Sequence, residues 1–258
     1  AGFGADLGAE KFYDIKCRKT GLHPDLTVLV VTLQALKMHG GVAQEDIKKP
    51  NIQGMENGYW NLDKHVKNLQ SFGQTVVIAF NQFATDTPEE IEVLRKHCEE
   101  MGCGFAVNNA FAEGGKGAVE LANLVVKTIN EHPSAPLHFA YDDDEPVVKK
   151  IEDVAFHLYG AGSVTLSDSA KAMIEEINKL GAEKFPICIA KTQYSFSTDA
   201  KAYGPTDGYE LHVRDITVNM GAEMIVVIAG PIMRMPGLPK SPQAERIDVV
   251  NGEITGLS

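Results

Sequence analysis

Apolar residues gather in short β-branched runs separated by amphipathic stretches, and this alternation predicts the order of elements. Leu26 to Thr32 (LTVLVVT) is apolar on both faces, the pattern of a strand buried inside a parallel sheet. Ahead of it, Glu10 to Cys17 has helical composition. Behind it, Ala35-Leu36-Lys37-Met38-His39-Gly40-Gly41 turns the chain, and 42–58 is polar and loop-like. Leu62, Val66 and Leu69 make the stripe of a helix over Asn61 to Phe72, ending at Gly73. Thr75 to Asn81 (TVVIAFN) and Gly104 to Asn108 are the next strands. Between them Thr87 can cap a helix, Pro88 fits its first turn, and Glu90 stands at the capping-box position. Its apolar face is Ile91, Leu94 and Cys98. Gly114-Gly115-Lys116-Gly117 is a turn and Ala118 to Ile129 a further helix. The repeated strand–helix–strand order predicts an α/β fold with a parallel sheet and right-handed crossovers.

His132-Pro133-Ser134-Ala135-Pro136 stops that helix and Asp142-Asp143-Asp144-Glu145-Pro146 starts another, so a domain boundary is placed within 132–146. Beyond it the pattern predicts helices near 146–158 and 167–180 and strands at 186–190, 208–214 and 223–228. A hairpin around Asn251-Gly252 follows. No repeat of 20–50 residues is visible. The opening run Ala1-Gly2-Phe3-Gly4-Ala5-Asp6-Leu7-Gly8 reads as the middle of a loop, and the true start is expected upstream.

Composition narrows the function classes. A length of 258 residues allows one large domain or two smaller ones. With 44% hydrophobic and 23% charged residues, the chain is an ordinary globular one. Its net charge of −11 argues against nucleic acid, which needs a basic face. The longest apolar run is about half of a membrane span. Cys17, Cys98, Cys103 and Cys188 show no C-x2-C pair and read as reduced, mostly buried thiols of a cytoplasmic protein.

Candidate chemistry sits in loops beyond strand ends, where α/β proteins keep their sites. Asn81-Gln82-Phe83-Ala84-Thr85-Asp86 and Asn108-Asn109-Ala110-Phe111-Ala112-Glu113-Gly114-Gly115 each carry one phenylalanine. The two rings either clamp a flat heterocycle or cover the sheet end. The glycines at 114–117 either hold an anion or make a tight turn. Asp142 to Asp144 is a metal site or, better, a solvated helix start. His39 is a ligand or a structural residue. No G-x-x-x-x-G-K-[ST] is present, and no G-x-G-x-x-G follows a strand, so a dinucleotide oxidoreductase has weak support. Two further segments follow strands. Ala190-Lys191-Thr192-Gln193-Tyr194-Ser195-Phe196-Ser197 is rich in hydroxyls, and Gly230 to Pro239 is a Pro/Met loop suited to a subunit contact or a pocket wall.

Taken together, these segments resemble formate–tetrahydrofolate ligase. The matches are Gly2 to Phe12, Asp14 to Arg18, Ala35 to Gly41, Phe83 with Thr85-Asp86-Thr87, Ala112 to Gly117, Ala190 to Ser197 and Met235 to Pro239, in family order. The resemblance runs from residue 1 to Ser258 but covers only the C-terminal half of the family enzyme. Gln34 stands where the family usually has Arg, and Ala84 where a Pro is common.

The resemblance implies that MgATP and formate give formyl phosphate, which the N10 amine of tetrahydrofolate attacks. The P-loop and the formate-activating groups belong to the other half, so the chain alone is expected to be inactive. It implies a folate clamp formed by Phe83 and Phe111, the latter in place of a family Trp, with Ala84 and Val107 beside them. Phe3 resembles a position on the nucleotide side. The implied division is residues 1–62 as the end of a P-loop-type nucleotide domain, 63–145 as an α/β domain with the folate loops, and 146–258 as a smaller α/β domain. A cytoplasmic homo-oligomer is expected, with no tightly bound cofactor, no catalytic residue of its own, no metal site and no membrane or nucleic-acid partner. The alternative is a non-catalytic folate-binding or subunit-interaction module.

Overall fold

The computed structural model describes residues 2–232 and 240–256. The chain opens with one continuous helix built of α1 (Gly8–Lys11), a π-helical stretch (Phe12–Cys17) and α2 (Arg18–Thr20), closed by Gly21 at φ 70°. Strand β1 (Thr27–Val31) leads into α3 (Leu33–His39), α4 (Ile52–Glu56) and α5 (Tyr59–Ser71). The stretch from Ala35, expected to turn the chain, is helical. The cause is Thr32, whose side chain accepts a hydrogen bond from the Ala35 amide (3.1 Å) and caps a helix that reaches His39. Of the two glycines that suggested a turn, Gly40 serves close packing, since a Cβ there would lie 1.8 Å from the Gly54 carbonyl oxygen, and Gly41 turns the chain after the helix at φ 84°.

Strand β2 (Val76–Asn81), α6 (Pro88–Glu100), β3 (Gly104–Asn108), α7 (Ala110–Glu113), a 3₁₀ turn (Gly114–Ala118) and α8 (Val119–Glu131) complete the first unit. The expected capping box is present at Thr87 and Glu90, with Pro88 in the first turn. The three strands form a parallel sheet in the order β1-β2-β3, with Val31 opposite Phe80 and Asn81 opposite Asn108. Val76 to Phe80 is wholly buried, and each large side chain there stabilises the fold by about 1.5–3 kcal/mol. β1 is not buried on both faces as its pattern suggested. It lies at the sheet edge, and Val28 and Val30 are exposed.

After the 132–146 loop come α9 (Val147–Asp153), a π-helical turn (Val154–Tyr159), β4 (Ser163–Leu166), α10 (Asp168–Leu180), β5 (Ile187–Ala190), β6 (Glu210–Asn219) and β7 (Met224–Ala229). They build a four-stranded sheet, β4-β6-β7-β5, in which β6 and β7 are antiparallel and the other pairs parallel. Strand β4 has no counterpart in the sequence reading, because its four half-exposed residues carry no apolar run. Residues Gln243–Glu245 form a 3₁₀ turn, and β8 (Asp248–Val250) with β9 (Glu253–Thr255) form the expected hairpin. The Met235-Pro236-Gly237-Leu238-Pro239 segment lies outside the described residues.

Charged side chains tie the two sheets together. The Arg18 guanidinium donates to the Tyr141 carbonyl (2.6 Å), Lys64 donates to the Tyr159 carbonyl (2.9 Å), and Lys191 pairs with Asp6 (2.8 Å). Asp143 and Asp144 pair with Arg18 and Lys184, so the acidic run is engaged in ion pairs. No group of three or more His, Cys, Asp or Glu among the described residues could hold a metal ion. No helix among them is long and apolar enough to cross a membrane.

Candidate functional site

Because the first sheet is parallel, the carboxyl ends of β1, β2 and β3 share one edge, and the loops after β2 and β3 leave it side by side. The Asn108 side-chain amide donates to the Asn81 side-chain oxygen (2.7 Å), and the Gln82 amide donates to the Asn108 carbonyl (3.2 Å). These bonds hold the starts of the two loops together.

Both aromatic residues of these loops face solvent. Phe83 is 45% exposed and Phe111 is fully exposed. The buried aromatic pair of these strands is instead Phe80 and Phe105, which stack inside the core at 5.9 Å. Ala84 is exposed beside Phe83, and Val107 is half-buried one pleat beyond Phe105. Phe83, Ala84, Val107 and Phe111 therefore lie on one edge. Phe3, 81% exposed, lies apart. It lines a cavity of about 420 Å³ along β1 with Val30, Ala35 and His65, whose walls include neither Phe83 nor Phe111. Its φ of 63° is a left-handed conformation that costs a bulky residue on the order of 1–3 kcal/mol.

The Phe83 loop is braced from below. The Phe83 amide donates to Asp86 (2.8 Å), and the Asp86 amide returns a bond to the Phe83 carbonyl (3.0 Å). Next in the chain, Thr87 caps α6 and its hydroxyl donates to Glu90 (2.9 Å). The other Glu90 oxygen receives Lys37 at 2.6 Å and the Asn51 amide at 2.8 Å. Lys37 also donates to the Lys49 carbonyl (2.8 Å). Lys37 and Glu90 are both buried. Burial alone would raise the Glu90 pKa, but the bonds from Lys37, Asn51 and Thr87 outweigh it and hold the carboxyl below its ordinary value. Asp86 is shifted the other way: burial raises it, opposed by the Phe83 amide.

The Gly114–Gly117 segment is a tight turn. A Cβ on Gly117 would stand 2.4 Å from the Asn109 carbonyl oxygen, and the Asn109 amide donates to the Gly117 carbonyl (3.0 Å). His39 bonds the Tyr203 carbonyl (3.1 Å) through Nδ1, and burial lowers its pKa, which fits a structural residue. Two groups carry no signal in the sequence. His65, against Phe196 at 4.5 Å, has a buried Nδ1 with no hydrogen-bond partner among the described residues. Lys191 is buried at the end of β5, donating to the Ser195 carbonyl (2.6 Å). Both cations, Lys37 and Lys191, lie inside the motifs singled out above, but nothing in a lone lysine announces burial.

The formate–tetrahydrofolate ligase family model matches residues 1–258, the whole chain. The chain belongs to the formate–tetrahydrofolate ligase family. It is 65% identical over 258 residues to the formate–tetrahydrofolate ligase of Phocaeicola vulgatus and 64% identical to that of Bacteroides fragilis. The enzyme of that name from Psychrobacter is 51% identical over 261 residues. In each case the whole of this chain aligns with 46% of the relative, so it spans about half their length.

Proposed function

We propose that this chain is the folate-side portion of an ATP-dependent ligase that joins formate to tetrahydrofolate through formyl phosphate, and that by itself it is inactive. The carrying observation is the pair of exposed rings, Phe83 and Phe111, on the neighbouring ends of β2 and β3. Solvent-facing phenylalanines on a rigid sheet edge lose apolar contact with water only when something flat lies against them. A reduced pterin is such a group, and stacking on each ring contributes on the order of 0.5–1.5 kcal/mol beyond area burial. Ala84 and Val107 supply small apolar flanks that leave room for it.

The chain's own part is to bind and orient tetrahydrofolate so that its N10 amine meets the acyl group. Orientation of this kind contributes much of the rate when two bound reactants must meet. The sequence holds no G-x-x-x-x-G-K-[ST] loop, and we assign phosphoryl transfer to the other half of the longer protein. In the longer protein we assign residues 1–62 to the end of a nucleotide domain with Phe3 on its nucleotide side. Residues 63–145 then carry the folate loops, and 146–258 form the third unit, in a cytoplasmic homo-oligomer.

The test replaces the corresponding half of a full-length relative with residues 1–258. The chimaera should form 10-formyltetrahydrofolate from MgATP and formate, and Phe83→Ala and Phe111→Ala should each raise the KM for tetrahydrofolate. Unchanged KM in both variants removes the clamp, and turnover by the 258-residue chain alone removes the claim of inactivity. Folate binding by the chain with an inactive chimaera supports the non-catalytic module instead.

A further inference from the structure

We infer that Lys37, remote in sequence from the folate loops, is a positioning residue for Phe83 and acts through Glu90. The inference rests on the folate reading of Phe83 and adds to it the group that sets where the ring stands. The Phe83 ring faces solvent, so its place is set by the backbone turn 83–86. That turn runs without a spacer into Thr87, the cap of α6. Thr87 is held by Glu90, and Glu90 is held in turn by Lys37 and by the Asn51 amide. Lys37 is fixed on α3, which follows the neighbouring strand β1, and by the Lys49 carbonyl. The chain of contacts thus joins the ring to two parallel strands by two routes: directly through β2, and through β1, α3, Lys37 and α6.

The chemistry favours a positioning role over simple adhesion. Buried ion pairs are weak contributors to stability relative to apolar replacements, and their best-attested use is to fix one arrangement among several. Glu90 has several donors converging on two oxygens, which leaves its carboxylate one orientation. A capping box alone needs only the reciprocal bonds between Thr87 and Glu90. The Lys37 and Asn51 donors are additional, and they pin the cap to α3 and to the loop before α4.

The experiment uses the chimaera described above, with Lys37→Met, Lys37→Met/Glu90→Gln and Phe83→Ala. The double variant leaves no unpaired buried charge, which keeps the test decisive even if Lys37→Met alone fails to fold. The expected result for the Lys37 variants is a KM for tetrahydrofolate raised about tenfold, with KM for ATP and for formate within twofold of the parent. In the 258-residue chain the same variants should speed hydrogen exchange at the Phe83 and Thr87 amides, while β2 amides stay protected. A KM for tetrahydrofolate unchanged in the double variant, with Phe83→Ala raising it, overturns the positioning role and leaves the clamp standing. If Phe83→Ala itself has no effect, the folate reading fails. In that case unchanged exchange at Phe83 overturns the ordering role as well, and faster exchange retains it without folate.

Discussion

Lys191 and Asp6 form an ion pair at 2.8 Å that is closed to water on both sides and joins the glycine-rich opening loop to the end of β5. The ammonium also donates to the Ser195 carbonyl and lies 4.8 Å from the Tyr159 ring centre. Burial lowers the Lys191 pKa, and Asp6 opposes that shift. Removing one partner strands the other charge in the interior. Lys191→Met should therefore cost about 3–5 kcal/mol of unfolding free energy, and Asp6→Asn/Lys191→Met should recover most of it. Urea denaturation of the four proteins of this cycle measures the coupling. Additive single effects would show that the pair does not hold the two sheets together.

Phe111 offers the opposite situation. Its ring is fully exposed, so a larger aromatic group there meets no packing limit. Phe111→Trp should change unfolding free energy by no more than about 0.5 kcal/mol, as exposed substitutions generally do. If the ring stacks on folate, the wider indole should lower the KM for tetrahydrofolate several-fold in the chimaera. A KM that stays fixed or rises would place Phe111 outside the stack.

Much of this arrangement is legible in the sequence, and the failures have physical causes. β2 and α6 can be read directly, because an unbroken apolar run and a Thr87-Pro88-Glu90 start are strong local signals. The loops after β2 and β3, which carry Phe83 and Phe111, follow from them, since parallel strands end along one edge. The apolar run marks β1 as a strand but does not report that Val28 and Val30 are exposed, because the pattern records apolar faces and not what covers them. The Gly40-Gly41 pair masks α3 in the sequence, because Gly40 packs against Gly54 and Gly58 inside the fold and only Gly41, at φ 84°, makes the turn. The Lys37–Glu90 and Lys191–Asp6 pairs were invisible, because their partners lie 53 and 185 positions apart and no local rule links them.

Asp14 should make stability fall as pH rises. It is wholly buried, and burial first and the Glu10 carboxyl second push its pKa well above the ordinary 3.8, against the Ala140 amide and Arg18. One of its oxygens accepts from the Ala140 amide (2.8 Å) and the other has no partner among the described residues. A carboxyl with a raised folded pKa contributes stability that is complete below its unfolded value and is lost as pH rises through the folded one. Each unit of upward shift makes that loss about 1.4 kcal/mol. Asp14→Asn should flatten the decline in melting temperature as pH rises above the ordinary carboxylate range. An identical slope in both proteins would show that Asp14 does not titrate in that window.

His65 should act with the opposite sign. Burial drives its pKa down from 6.5 to about 4, with Asp6 opposing and His39, Lys191 and Lys64 adding to the fall. The folded protein thus excludes a proton that the unfolded chain accepts, and stability is lost as pH falls from about 6.5 towards 4. The full difference is worth about 3 kcal/mol at most. His65→Phe keeps a ring against Phe196 and removes the titrating group, and the unpartnered Nδ1 means that no hydrogen bond at that atom is lost. Urea midpoints at intervals from pH 4.5 to pH 7.5 should fall on acidification in the parent and much less in the variant. Parallel curves would mean that His65 takes up its proton in the folded protein as readily as in the unfolded chain. In that case the cavity along β1, which His65 lines with Phe3, would be wet enough to solvate the charge.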